Sequence, residues 1–400
     1  MKIHELETPA LIVDLDRMEG NLQRMADYCH EHGLHLRPHT KTHKIPQLAQ
    51  KQMDLGARGI TVAKVGEAEV MSEEGLDDLL LAYPLFGDAK ALRLGAVLER
   101  ARITVSLDSE ESLSWVARAA DGKSIDVLVE IDVGMRRCGL KPGPAAVQLA
   151  RLIDSTAGLR FEGLMFYPGH IYPDWEDSSR KVDQLNSDLQ RQVEFFEKQK
   201  VPVHRVSGGS TPSAFYSHHI PALTEIRPGT YIFSDRHSLE WRTCSEDQCA
   251  AFVVTTVVSR AVTGQAIIDG GSKTFSSDPL RVGKKGGFGL VKGFPEVQFV
   301  KMNEEHGYLK VPDEAKLEVG QTVQVIPNHI CATVNMHDVI FGCRGEEVVE
   351  SWIVKARGKI RECAIWGNMK YGDIRSFPGC YLSIYWRPLV RCFGPSPFHF

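Results

Sequence analysis

Along residues 1–245 the apolar positions alternate between two rhythms. Short runs such as "GITVA" (59–63), "LLLAY" (79–83), "RITVSL" (102–107) and "IDVLVEID" (125–132) are nearly continuous in aliphatic residues, the pattern of strands covered on both faces. Further strands are predicted at "LHLRPH" (34–39), "FEGLMFY" (161–167), "VHRVS" (203–207) and "TEIRP" (224–228), after a leading "ALIVDL" (10–15). Between most of them lie stretches with apolar residues at helical spacing, among them "DRMEGNLQRMADYCHEHG", "DSEESLSWVARAADG" and "RKVDQLNSDLQRQVEFFEKQK". Repeated strand–helix units predict a parallel sheet, and eight strands after a leading one predict an α/β fold, a closed (β/α)8 barrel over 1–245. An open doubly wound sheet is the competitor, but no G-x-G-x-x-G follows the first strand.

From about residue 246 the rhythm changes. "AAFVVTTVVSRA", "QAIIDGG", "QTVQVIPNHICATVN" and "VVESWIVKARG" are β-branched runs broken by Gly, Pro and polar turns, which predicts a smaller antiparallel β domain over 246–360. The leading strand is a candidate to pair with it. Residues 361–400 are rich in aromatics without a sustained period and read as an atypical C-terminal extension.

Composition narrows the function classes. A net charge of -4 gives no general surface for nucleic acid or anionic membrane. No run approaches the ~18 apolar residues of a membrane span, and the N-terminus lacks a signal peptide's apolar core. Nine irregularly spaced cysteines do not form a disulfide framework, so a reduced, cytoplasmic protein is expected.

Against that background the octet "RPHTKTHK" (37–44) is a local concentration of positive charge at a strand end. Lys41, with Arg37, His39, His43 and Lys44 around it, would have its pKa lowered and could attack a carbonyl; a solvated basic loop is the plain alternative. "VSGGSTPS" (206–213) offers Ser207, Gly208, Gly209, Ser210 and Thr211 as a phosphate cradle, and "RPGTY" adds Gly229, Thr230 and Tyr231 on the neighbouring rim. "EIDVGMRRCG" (130–139) holds Arg137, for a ring oxygen, a substrate carboxylate or a structural ion pair. "MFYPGHIY" (165–172) supplies Tyr167, His170 and Tyr172 for stacking or proton transfer. In "PNHICATVNMHD" (327–338) His329 and Cys331 are two apart, one face of a strand, and suit zinc or a similar ion with open positions for water and substrate.

Taken together these motifs resemble the fold-type III pyridoxal-phosphate enzymes of the alanine racemase barrel. The likeness is to the branch of D-threonine aldolase, eukaryotic-type D-serine dehydratase and D-3-hydroxyaspartate lyases. It rests on "TPALIVDLDRMEGN", "LRPHTKTHK", "TVAKVGEAEVM", "DVGMRRCG", "YPGHIY", "SGGSTPS", "RPGTY", "PNHICATVNMHD" and "ARGK". The resemblance implies that Lys41 is the Schiff-base lysine and that Arg137 lies near the cofactor's phenolic oxygen. It further implies phosphate binding by the "SGGS" and "GTY" segments, metal ligation by His329 and Cys331, and a homodimer. The basic octet would then serve an anionic cofactor and an anionic substrate.

A metal beside such a cofactor points to a D-3-hydroxy amino acid as substrate. Two reactions follow. β-Elimination, with Lys41 as base, gives a 2-oxo acid and ammonia. Retro-aldol cleavage, with His170, His43 or a metal-bound water as base, gives glycine and an aldehyde. The His-x-Cys spelling resembles the dehydratases and favours elimination. Zinc is the expected ion, with manganese and magnesium as alternatives. An amino-acid racemase, a non-catalytic cofactor-homeostasis protein and a cofactor-free lysine aldolase are the other readings.

Overall fold

The computed structural model describes residues 1–172, 175–280 and 286–359; the expected extension at 361–400 lies outside them. Eight parallel strands make the first sheet: β2 (His35–Leu36), β3 (Ile60–Val62), β4 (Asp78–Leu81), β5 (Arg102–Leu107), β6 (Ile125–Ile131), β7 (Leu159–Phe166), β8 (Arg205–Gly208) and β9 (Glu225–Ile226). They pair in the order β2-β9-β8-β7-β6-β5-β4-β3. A parallel bridge between His39 and Thr61 joins the two edges and closes the barrel just beyond β2. The eight strands coincide with the eight apolar runs. β6 shows why: all seven of its residues are buried, so nothing in it alternates.

The helices between strands are set by local chemistry. Asp14 caps the helix Leu15–Glu31 by accepting the Arg17 amide at 3.1 Å, and Gly33 turns the chain at φ 65°. Ser109 caps Glu110–Ala120, which stops at left-handed Asp121. The apolar face of Leu15–Glu31 packs through Met18, Leu22 and Met25 in a cluster with Leu36 and Ile226, and that of Glu110–Ala120 in a second one around Ile60, Val105, Val127 and Leu164.

The second sheet gathers β1 (Ala10–Asp14), β10 (Ala251–Ser259), β11 (Gln265–Ile268), β12 (Gly289–Val291), β13 (Gln298–Met302), β14 (Gly307–Lys310), β15 (Thr322–Pro327), β16 (Val339–Arg344) and β17 (Glu347–Ile353). β10 pairs with both β15 and β11, so β10-β15-β12-β13-β14-β11 closes on itself as a small antiparallel barrel. β1 leaves the parallel barrel and lies between β10, antiparallel, and β16, parallel. The chain's first strand therefore belongs to its second sheet. One apolar cluster runs from Leu36 and Ile226 through Leu11 and Val13 to Val325, welding the sheets together.

Candidate active site

The octet 37–44 leaves β2 and forms a 3-10 turn at Thr40–Thr42, where its basic side chains part company. Arg37 points inward, fully buried, with Nε 2.8 Å from Glu225 and Nη1 2.7 Å from Asp78. His43 turns into the core. The Ile45 amide donates to its Nδ1 at 3.1 Å, so Nε2 carries the proton and donates to Gln52 Oε1 at 3.3 Å. Gln52 in turn donates to the Tyr231 hydroxyl at 2.9 Å. Burial pushes the His43 imidazole down to about 4 and the Tyr231 phenol well up. The structure thus brings neither His43 nor Tyr231 to the rim: both close a polar chain inside the core. Lys44 donates to Asn335 at 2.8 Å. The positive octet is therefore not one anion site, and only Lys41 and His39 remain at the mouth.

Lys41 is open to solvent yet surrounded by protein mass. Poor hydration lowers its pKa; the Cys331 thiol group and Glu67 oppose this, while Arg137 and Arg227 add to it. Burial, with Lys41 and Arg227, also keeps His39 neutral. The Lys41 ammonium stands 5.8 Å from the Tyr167 ring centroid, and the Arg137 guanidinium stacks on the same ring at 4.6 Å. Arg137 is aimed there by a tight turn after β6. Asp132 accepts the amides of Gly134 and Arg136 at 3.0 Å each, and Asp108 accepts that of Gly139 at 2.7 Å. His170 packs on this turn, 3.1 Å from where a Gly134 Cβ would be, and its buried Nδ1 has no partner among the described residues. Tyr172 instead meets the Trp241 ring at a tilt of 33°, centroids 4.9 Å apart.

The glycine turns press against the Lys41 turn. A Cβ on Gly229 would come within 2.8 Å of Thr42 Oγ1, and one on Gly208 within 2.1 Å of the Phe166 ring. Gly209 holds φ 80°, open to few other residues. The Gly229 amide donates to Thr211 Oγ1 at 3.2 Å, and the Ser210 amide to Ser213 Oγ at 3.1 Å. Ser207 faces inward, donating to Glu225 at 2.6 Å and accepting from Arg227 at 2.7 Å. Arg227, in the middle of "IRPGT", is a residue the sequence reading passed over. It is buried, it donates to the Phe166 carbonyl at 2.9 Å, and burial brings its pKa down to about 10. A fixed cation behind Lys41 is what its position supplies.

His329 and Cys331 are not on a strand. β15 ends at Pro327, and His329 is the N-cap of the short helix Ile330–Val334, held there because Asp235 accepts the Ile330 amide at 3.1 Å. The turn still brings imidazole and thiol into hydrogen-bonding contact. His329 Nδ1 lies 2.6 Å from Asp278 Oδ2, which leaves Nε2 for a ligand, the arrangement that carboxylates impose on metal-binding histidines. Burial opposes ionisation of Cys331, but His329, Thr230 and Thr42 outweigh it and hold the thiol below its ordinary range. Thr42 Oγ1 is 3.2 Å from the sulfur and Thr230 Oγ1 3.5 Å. Since Thr42 adjoins Lys41, the imidazole–thiol pair opens on the lysine. No third His, Cys, Asp or Glu joins the pair as a cluster among the described residues. The donor set fits a borderline-soft divalent ion with open positions. Asp278 carried no motif by which sequence could have found it, whereas Thr42 lies in the basic octet and Thr230, expected on the phosphate rim, also borders the thiol.

A lysine of lowered basicity at the C-terminal rim of a parallel barrel, beside an aromatic ring and two guanidiniums and bordered by glycine turns, is an arrangement suited to carbonyl chemistry. Residues 13–237 match the family model for the alanine racemase N-terminal domain, and residues 250–343 match a serine dehydratase domain. The chain belongs to the alanine racemase-type family of pyridoxal-phosphate barrel enzymes. It is 31% identical to D-threonine aldolase of Arthrobacter sp over 88% of this chain and 93% of that one. The crystal structure of D-threonine aldolase from Filomicrobium marinum superposes with a TM-score of 0.83 at 33% identity, covering 90% of this chain and 98% of that one. D-threo-3-hydroxyaspartate dehydratase from Delftia sp. HT23 superposes with a TM-score of 0.80 at 28% identity, covering 88% and 98%. A cysteine-to-alanine mutant of D-threo-3-hydroxyaspartate dehydratase is known in a metal-free form.

Proposed function

We propose that this chain is a lyase that dehydrates D-3-hydroxy amino acids of the D-serine and D-threonine type to a 2-oxo acid and ammonia. Pyridoxal phosphate would be held by Lys41, Arg137, Tyr167, Arg227 and the 208–211 and 229–230 turns. A divalent ion, zinc before manganese or magnesium, would be held by His329 and Cys331. The observation that carries the reading is the imidazole–thiol pair opening on the lysine, with Thr42 Oγ1 3.2 Å from the Cys331 sulfur.

When bound, the cofactor supplies an electron sink for bonds at Cα and the ion a Lewis acid for the substrate's hydroxyl. The chain's own residues do the rest. Lys41, its basicity reduced by the protein packed around it and by Arg137 and Arg227, is the amine that takes the Cα proton. Departure of the hydroxyl from Cβ leaves an enamine, which hydrolyses to the 2-oxo acid and ammonia. Tyr167 and Arg137 wall one side, and Asp278 fixes the His329 tautomer. His170, against the 132–139 turn, is the candidate base for the alternative reaction.

That alternative is retro-aldol cleavage, and one observation favours it: the relatives above 30% identity include D-threonine aldolase. Product analysis with D-threonine separates the two. 2-Oxobutanoate and ammonia are expected; glycine and acetaldehyde would overturn the dehydratase reading. A homodimer and a cytoplasmic location are further parts of the proposal. Among the described residues no helix is long and apolar enough to cross a membrane.

A further inference from the structure

A second pair of thiols lies outside the site. Cys244 and Cys249 flank the 3-10 turn Glu246–Gln248, which folds back because the Gln248 side chain accepts the Ser245 amide at 2.9 Å. The turn brings the two side chains together. The Gln248 amide donates to the Ser245 carbonyl at 3.0 Å, closing the turn between them, and both cysteines pack in the small apolar cluster of Ile3, Ile12 and Phe252, Cys249 wholly buried and Cys244 half-buried. Cys249 also donates to the Asp235 carbonyl at 3.9 Å, and Ser234 contacts Cys244.

The two sulfurs are not equivalent. Cys244 is the half-exposed one, and the neighbouring Cys249, then Ser234 and Arg24, hold its thiol below the ordinary range, whereas Cys249 is wholly buried and donates to the Asp235 carbonyl. Elsewhere burial pushes Cys29 up to about 12 and Cys343 up to about 11, and raises Cys138 as well. Cys331 is committed to His329.

We propose that Cys244 and Cys249 form a modification site: a peroxide-reactive dithiol that closes to a reversible disulfide. The Cys244 thiolate attacks hydrogen peroxide; an S–O bond forms, the O–O bond breaks, and hydroxide leaves. Cys249 then gives up its proton and attacks the Cys244 sulfur; the S–S bond forms, the S–O bond breaks, and water leaves. Both thiols are oxidised together, and one peroxide is reduced to two waters. The pair touches Asp235, whose carboxylate holds the Ile330 amide at 3.1 Å, so the bridge would form one residue's contact away from the segment that sets His329 and Cys331.

The test uses the full chain loaded with pyridoxal phosphate and zinc. It is treated with a small excess of hydrogen peroxide, remaining thiols are alkylated, and a glutamyl endopeptidase cuts after Glu246. The expected result is two peptides, one with Cys244 and one with Cys249, joined until dithiothreitol separates them. Cys249→Ser should stop at a Cys244 sulfenic acid that dimedone captures, and Cys244→Ser should leave Cys249 unoxidised. Full alkylation of both thiols after peroxide has oxidised other cysteines would overturn the proposal. So would conversion of Cys244 to sulfinic acid without a bridge in the unsubstituted chain.

Discussion

Replacing Arg37 with methionine isolates what the barrel's interior charges contribute. The guanidinium is fully buried, and it fits only because residue 59 is glycine: a Cβ there would sit 2.2 Å from Nη1. In Arg37→Met, Asp78 keeps Arg102 at the barrel's edge, but Glu225, itself fully buried, keeps the Ser207 hydroxyl at 2.6 Å as its direct partner, with Arg205 and Arg227 more distant. Removing one partner of such a pair leaves an uncompensated buried charge, a loss of about 3–5 kcal/mol at neutral pH. The pH dependence gives a second readout. In the parent chain burial pushes Glu225 up, but Arg37 and Arg205 outweigh it and its pKa is lowered. Its contribution is therefore present above the unfolded value of about 4.3 and lost as pH falls through the folded one. In the variant burial prevails, the folded pKa lies above the unfolded one, and the cost fades as acid protonates the carboxyl. Urea midpoints of the two proteins between about pH 8 and about pH 5 measure both effects. A deficit below about 1 kcal/mol at neutral pH, or one that does not narrow on acidification, would refute the reasoning.

Three further outcomes are expected. Lys41→Ala should lose both turnover and the visible absorbance of the cofactor-loaded protein; retained colour with retained activity would remove the lysine from the chemistry. Cys331→Ala should lower bound metal and turnover together, measured by elemental analysis and product formation, and an intact metal content would dissolve the His329–Cys331 assignment. His43→Gln should cost about 1–3 kcal/mol of stability by breaking the chain to Gln52 and Tyr231, while the pH profile of kcat/KM keeps its shape. Because the folded His43 pKa is depressed to about 4, its stabilisation is present above the unfolded value of about 6.5 and lost as pH falls, so the variant should also lose that acid-side slope. A hundredfold fall in kcat without loss of stability would instead make His43 a base.

The barrel was legible because strands buried on both faces leave unbroken apolar runs, as β6 does. The basic octet was legible as chemistry but not as geometry. Nothing in its spelling separates Lys41, at the rim, from Arg37, which is answered by Asp78 and Glu225 far along the chain, or from His43, answered by Gln52. The same holds for Ser207. Its place in a glycine-rich motif suggested a phosphate ligand, whereas its hydroxyl joins Glu225 to Arg227 inside the barrel. His329 and Cys331 were singled out by their spacing, yet the expectation of a strand failed because Asp235, some ninety-five residues earlier, captures the Ile330 amide and starts a helix there. Local pattern reveals the elements; the partners that aim side chains come from remote segments.

β1 sits between β10 and β16, so the neighbours of the earliest strand are made only when residues 251–259 and 339–344 have been synthesised. The parallel barrel can begin to collapse on the ribosome, but the strand that precedes it must wait for almost the whole described chain before its backbone groups are paired. A polypeptide cut after the barrel would carry Leu11, Ile12 and Val13 as an orphaned apolar edge, prone to pair with other chains. The order of synthesis thus makes the two sheets a single folding commitment, which neither half of the sequence can complete alone.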